Sequence, residues 1–221
     1  MNGQLGAADT LGLHFFGTMT ASISHELKNA LAIINENAGL LGDLALLAEK
    51  GRPLDPERLK TRAEKIRQQV QRADNIIRRL NRFAHSAHEG AASIDVFEVF
   101  EFTVALAARL AAMKTVSLTV EPGTPVQMEV RPFQLENLLW LCLKQVFALA
   151  TESQSVVFAA VGTGAEVVLS LHCSGGVPVA EIGAAVEREG QPLLKVLQAK
   201  LQVEAETLRL TLPKKAEASV I

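Results

Sequence analysis

The sequence predicts an α plus α/β fold: an antiparallel helical hairpin that forms a dimeric four-helix bundle, followed by a two-layer α/β sandwich. Three observations lead there. Apolar residues recur at helical spacing from about Leu11 to Lys50, on either side of a polar stretch around His25. A second segment carries a heptad seam of Leu59, Ala63, Ile66, Val70, Ala73, Ile77, Leu80 and Ala84, in alternating steps of four and three. From Ser93 onward, short β-branched runs alternate with apolar helical stretches, as in a sheet covered by helices.

Residues 1–10 are small and polar and read as a flexible N-terminus, with Asp9 or Thr10 as a helix cap. The first helix runs from about Leu11 to Lys50. Gly51-Arg-Pro-Leu-Asp-Pro56 breaks it, and Asp55 caps a second helix from Pro56 to about His85. Residues 11–88 therefore form a hairpin. A lone hairpin leaves much of its apolar surface in water, and pairing two of them into a four-helix bundle removes it, which implies a homodimer. His85 to Ala92 reads as a linker. His85 and His88 could stand one turn apart, but no Cys or further His accompanies them, so no metal site is assigned.

Residues 93–215 form the α/β part. Ile94–Val96 reads as a strand and Phe100–Met113 as a helix. Val116–Val120 and Val126–Val130 read as strands, and Pro132–Ala150 as a very apolar helix. Ser155–Val161 and Glu166–Cys173 make a hairpin around Gly162-Thr-Gly. Leu193–Gln202 is expected to be a helix and Thr207–Leu212 the last strand.

Composition narrows the function. The chain has 221 residues, 48% of them hydrophobic, and a formal charge of −2, so nothing pulls it globally toward nucleic acid or lipid. Cys142 and Cys173 both lie in apolar runs and read as buried thiols of a reducing, cytoplasmic compartment. There is no signal-peptide pattern at the start and no run of ~18 apolar residues, so no membrane span is expected. The second helix carries Arg58, Lys60, Arg62, Lys65, Arg67, Arg72, Arg78, Arg79 and Arg82. That charge is either a solvated face or a match to an acidic protein partner. Without interleaved aromatics or a base-reading motif, it does not indicate nucleic acid.

The chemistry centres on Ser22-Ile-Ser-His-Glu-Leu-Lys-Asn29. With His25 at zero on a helix turning ~100° per residue, Phe16, Ile23, Leu27, Ile34, Leu41 and Ala45 cluster opposite, and Thr18, Asn29 and Glu36 fall near the histidine. His25 is thus at the wet crest of an amphipathic helix, with Glu26 beside it and Asn29 one turn on. A solvated imidazole can act as a nucleophile.

Ser-His-Glu-Leu-Lys-Asn resembles the phosphoacceptor box of bacterial sensor histidine kinases. The resemblance implies that His25 accepts a phosphoryl group, that Glu26 serves as a general base or orienting group, and that Asn29 positions a water against a partner's aspartyl phosphate. Lys28 and Ser22 are then phosphate or partner contacts. The residues ahead of His25 are too few for a sensor domain. The family often has Pro after this Asn, which bends the helix, whereas this sequence has Ala30.

The order of strands and helices after Ser93 resembles the family's ATP-binding domain, the fold shared with gyrase-type ATPases, and Glu206-Thr-Leu-Arg-Leu-Thr-Leu-Pro213 resembles its closing strand. The nucleotide motifs are degenerate. The family's Asn-Leu-Leu-x-Asn-Ala falls on Leu141-Cys-Leu-Lys-Gln-Val, so Gln145 stands in place of the metal-holding Asn. Its Asp-x-Gly-x-Gly falls on His172-Cys-Ser-Gly-Gly, where Cys173, Gly175 and Gly176 remain but the adenine-reading Asp is missing. Its Gly-rich lid is reduced to Glu189-Gly-Gln-Pro-Leu-Leu194, with Gly190 alone. Productive ATP binding is not expected.

Together these readings predict a histidine phosphotransferase without a cofactor of its own, any Mg coming with the partner. It relays a phosphoryl group between response-regulator receiver domains. The alternatives are a response-regulator phosphatase using Asn29, a divergent autophosphorylating kinase, and a non-catalytic regulator-binding module.

Overall fold

A computed structural model describes residues 6–151 and 154–215. Helix α1 spans Ala7–Glu49 and α2 spans Pro56–Ser86. Between them, Gly51 N–H donates to Ala48 O and Arg52 N–H to Leu47 O, at 2.9 and 3.1 Å. This crossed pair closes the helix end and requires a left-handed residue, supplied by Gly51 at φ 80°. Pro56 opens α2, and Asp55 accepts from Glu57 N–H at 3.0 Å. The remaining elements are β1 (Ala92–Asp95), α3 (Val96–Met113), β2 (Val116–Val120), β3 (Gln127–Val130), α4 (Pro132–Leu149), β4 (Gln154–Thr163), β5 (Glu166–Ser174), α5 (Val179–Val196), β6 (Lys200–Glu204) and β7 (Thr207–Pro213). The predicted class, a helical hairpin and then a helix-covered sheet, is the one observed.

The chain divides into two units. One is Thr20–Phe83, the bulk of the hairpin; the other joins the start of α1, up to Met19, to everything from Ala84 on. In the hairpin unit, Ile23, Ala30, Ala73, Ile76 and Phe83 are buried. Within the single chain the buried stripe of α2 therefore passes through Ala73, Ile76 and Phe83 rather than along the whole predicted seam. The seam residues Val70 and Ile77 stay 53% and 43% exposed. On α1, the buried line of Phe15, Met19, Ile23 and Ala30 lies beside the expected one, and Ala45 is exposed.

In the second unit, a five-stranded sheet has the order β2-β4-β5-β7-β6, and β1 pairs with β3 in a small separate ribbon. β2 and β4 are parallel; the other neighbours are antiparallel. Alternate residues of β4, β5 and β7, among them Val156, Phe158, Leu169, Leu171, Leu208 and Leu210, are fully buried beneath the helices. α4 is buried nearly all round, because α3 and α5 flank it and the first turns of α1 cover it. Phe15 of α1 lies 5.3 Å from the Phe133 ring and 6.4 Å from the Trp140 ring. Each such side chain taken from water contributes ~1.5–3 kcal/mol.

Three expectations need correction. First, α3 begins at Val96, not Phe100, because the Asp95 carboxylate caps it, accepting from Phe97 N–H at 3.1 Å and from Val126 N–H at 3.2 Å. Second, the helix expected at Leu193–Gln202 runs instead over Val179–Val196, with Pro192 inside it, and Lys200–Glu204 is a strand. Val179, Ile182, Val186, Leu193 and Leu194 are its buried face at helical spacing. Third, α1 does contain an 18-residue window of mean hydropathy 1.3, long and apolar enough to cross a membrane by length and composition. No unbroken apolar run marks it in the sequence, because Asn35, Glu36, Asn37 and Asp43 interrupt the segment.

Candidate functional site

His25 is on the exposed side of α1, where the helical pattern places it. Asn29, one turn on, directs its Nδ2 at His25 Nδ1 over 3.3 Å. An amide can present either atom to the ring. With nitrogen inward it donates to Nδ1, and the proton resides on Nε2. With oxygen inward it accepts from Nδ1–H, and Nε2 keeps a free lone pair as nucleophile.

Glu26 does not face the ring. Its Oε2 accepts from Arg79 Nη2 of α2 at 2.6 Å, and both side chains are largely buried, at 13% and 19% exposure. The ion pair clamps α1 to α2 directly beside the histidine. The sequence contains the signal for it only as one arginine among nine cations. Ser22, expected as a phosphate or partner contact, is buried, and its hydroxyl makes no hydrogen bond among the described residues. Lys28 is exposed and free of ion pairs among the described residues.

Much of the positive charge on α2 is matched locally. Arg58 meets Asp55, Arg67 meets Glu64, Arg78 meets Asp74, and Arg62 donates to Asn37 Oδ1. The Arg67 hydrogen bond holds the Glu64 carboxyl below its usual range. Pairs this exposed are screened by water and add little to stability. Lys60, Lys65 and Arg72 remain exposed.

Three of the degenerate nucleotide positions, Gln145, Cys173 and Gly190, are taken up by packing. Gln145 on α4 donates its Nε2 to Glu189 Oε2 at 2.9 Å, and Lys144 Nζ approaches the same oxygen at 3.3 Å. Gly190 is buried on α5 against Leu141, where an added Cβ would fall 2.7 Å from Leu141 Cδ2. The expected lid residues are thus part of a helix that lies directly on α4. Cys173 is buried, and desolvation pushes its thiol up to about 11. Gly175 and Gly176 take φ of 85° and 77° in the turn after β5, where Gly175 O accepts from Gln154 Nε2. These residues do not fit a nucleotide and its metal: the amide is engaged by a carboxylate, the adenine-reading acid is absent from His172–Gly176, and the lid is a helix. Among the described residues, no three His, Cys, Asp or Glu side chains group to hold a metal.

Residues 17–89 match the His Kinase A (phospho-acceptor) domain. Solved structures similar to the chain include the nucleotide-free catalytic domain of histidine kinase ThkA, at 11% identity and TM-score 0.48, covering 57% of this chain and 97% of that one. ThkA in complex with the response regulator protein TrrA covers 91% of this chain and 63% of that one, at 16% identity and TM-score 0.46. A histidine kinase from Burkholderia phymatum covers 88% and 99%, at 14% identity and TM-score 0.45. No curated protein matches the chain. The segment that presents His25 is therefore a His Kinase A (phospho-acceptor) domain, a module of the sensor histidine kinases in two-component signalling.

Proposed function

We propose that the protein is a dimeric histidine phosphotransferase, carrying phosphoryl groups between response-regulator aspartates through phosphohistidine at His25. One observation carries this reading: the phosphoacceptor side is open while the nucleotide side is closed. His25 is solvent-exposed with Asn29 on its ring, and Glu189 and Gly190 of α5 occupy the positions from which a nucleotide would be held. His25 Nε2 attacks the regulator's acyl phosphate, the P–O bond to aspartate breaks, and the carboxylate leaves. The reverse sequence delivers the group to the next regulator. The transfer uses no cofactor of this chain, since the receiver domain brings Mg. The apolar residues exposed on the hairpin, Leu31, Leu46, Val70 and Ile77, face a second copy in the cytoplasm rather than lipid, because Asn35, Glu36 and Asn37 occupy much of the α1 circumference.

The test is incubation with Mg and either radiolabelled ATP or a response regulator carrying a radiolabelled aspartyl phosphate, beside His25→Ala. Label arriving only from the regulator, and lost in the variant, is the expected result. Label from ATP alone would replace this reading with an autophosphorylating kinase. A second reading, a regulator phosphatase, is favoured by the Asn29 amide on the exposed face 3.3 Å from the ring. It predicts fast phosphate release without labelled protein, abolished by Asn29→Ala and retained in His25→Ala.

A further inference from the structure

A cavity of about 360 Å³ opens in the second unit, between the first turns of α1, the residues after α2 and the start of α4. Its size suits a small-molecule ligand. Leu13, Phe16, Phe133 and Leu193 give it apolar walls. Asn137 lines it from α4 and is only 4% exposed, yet its amide makes no hydrogen bond with any described residue. The amide is open to the cavity, so polar groups of a ligand can take the place of water on it. Neighbouring polar groups are distributed by charge. Arg131, exposed and without an ion pair among the described residues, marks the α4 side, and Asp9 and Glu89 mark the side of α1 and α2.

We propose that this cavity is a binding site for a small planar heterocycle with a lactam edge, an exocyclic amino group and an anionic substituent. The flat apolar walls accept the ring. The amide of Asn137 offers a donor and an acceptor side by side, the complement of a lactam N–H and C=O. Asp9 and Glu89 accept from the amino group, and Arg131 receives the anion. The polar groups that would meet the ligand, Asn137, Asp9, Glu89 and Arg131, are not among the phosphoacceptor or degenerate nucleotide positions, whereas the wall residue Leu193 belongs to the stretch that aligns with the lid.

The experiment titrates the full chain with 6-carboxypterin, which has all three features, and with 2-naphthoate, which keeps a flat ring and a carboxylate but lacks the lactam and amino groups. Heat of binding is the measurement. Emission of Trp140, the only tryptophan, is recorded alongside, because its ring lies 6.4 Å from Phe15, itself 5.3 Å from the cavity residue Phe133. One-to-one binding of the pterin, at least about tenfold tighter than the naphthoate, is expected from the extra hydrogen bonds. Asn137→Leu, of similar volume, should erase that preference. Arg131→Gln, on the exposed rim where folding is not at stake, should weaken both probes. The proposal is overturned if the pterin does not bind, if it binds no better than the naphthoate, or if Arg131→Gln leaves both affinities unchanged.

Discussion

At the scale of residues, the site is a histidine held by an amide, next to a carboxylate that is held by an arginine. The chain's own sequence places His25, Glu26 and Asn29 on one stretch of helix, and that much follows from a ~100° turn per residue. What it does not show is that Glu26 turns away to Arg79, fifty-three residues on. Nine cations on α2 look alike in sequence; only the packing of α1 on α2 selects one of them. Removing Arg79 leaves a largely buried carboxylate without its partner. Arg79→Ala should therefore destabilise the hairpin by ~3–5 kcal/mol, read as a fall in the denaturation midpoint, whereas Arg67→Ala, whose pair is exposed, should move it little. Equal effects of the two would show that the Glu26 pair adds nothing beyond a surface contact. Ser22 teaches the opposite lesson. It sits three residues before His25, which suggested a role with phosphate, but it lies on the turn that faces the core.

At the scale of elements, α5 shows why part of the fold was illegible. Gly190 and Pro192, residues that usually interrupt helices, fall in the stretch that aligns with a shortened lid, ahead of the helix expected from Leu193. In the structure, the buried spacing of Val179, Ile182, Val186 and Leu193 outweighs them, and Gly190 is needed where α5 meets Leu141. A leucine there overpacks the α4–α5 contact, so Gly190→Leu should cost ~1–3 kcal/mol in unfolding free energy. Unchanged stability would mean that the helices are not in close contact. The hairpin helices were legible, because a heptad pattern and a Gly-Arg-Pro break are strong local signals. Their exposed seam predicts assembly: Val70→Glu with Ile77→Glu should convert a dimer to a monomer in sedimentation. A monomeric parent chain would remove the basis for the four-helix bundle.

At the scale of the whole molecule, Gln145, Cys173 and Gly190 of the α/β unit, which stand at nucleotide-motif positions, are buried, whereas the hairpin keeps its phosphoacceptor histidine in water. The division was readable in sequence, since three nucleotide motifs depart from the family pattern together. The attachment of the first turns of α1 to α4 was not, because Phe16 and its neighbours continue the helical apolar pattern of the hairpin without a break. Stability should also respond to pH through the thiols. Burial pushes Cys142 up to about 12 and Cys173 up to about 11, against 9.0 for a free thiol. Between these values the folded chain retains protons that the unfolded chain has released. The contribution is thus fully present below pH 9 and is lost as pH rises toward 11–12. Urea midpoints should fall over that interval, and a Cys142→Ala, Cys173→Ala chain should show a smaller decline.

The same two thiols give the molecule a built-in clock. A thiol-reactive dye needs both contact and a thiolate, and the folded α/β unit denies it both, with Cys142 and Cys173 at 0% and 1% exposure. Each labelling event therefore records a moment when β5 or α4 has opened. In a native solution, the labelling rate of each cysteine measures how often its own part of the unit breathes. Two equal rates would mean that strand and helix open as one cooperative body, and two different rates would separate their opening in time.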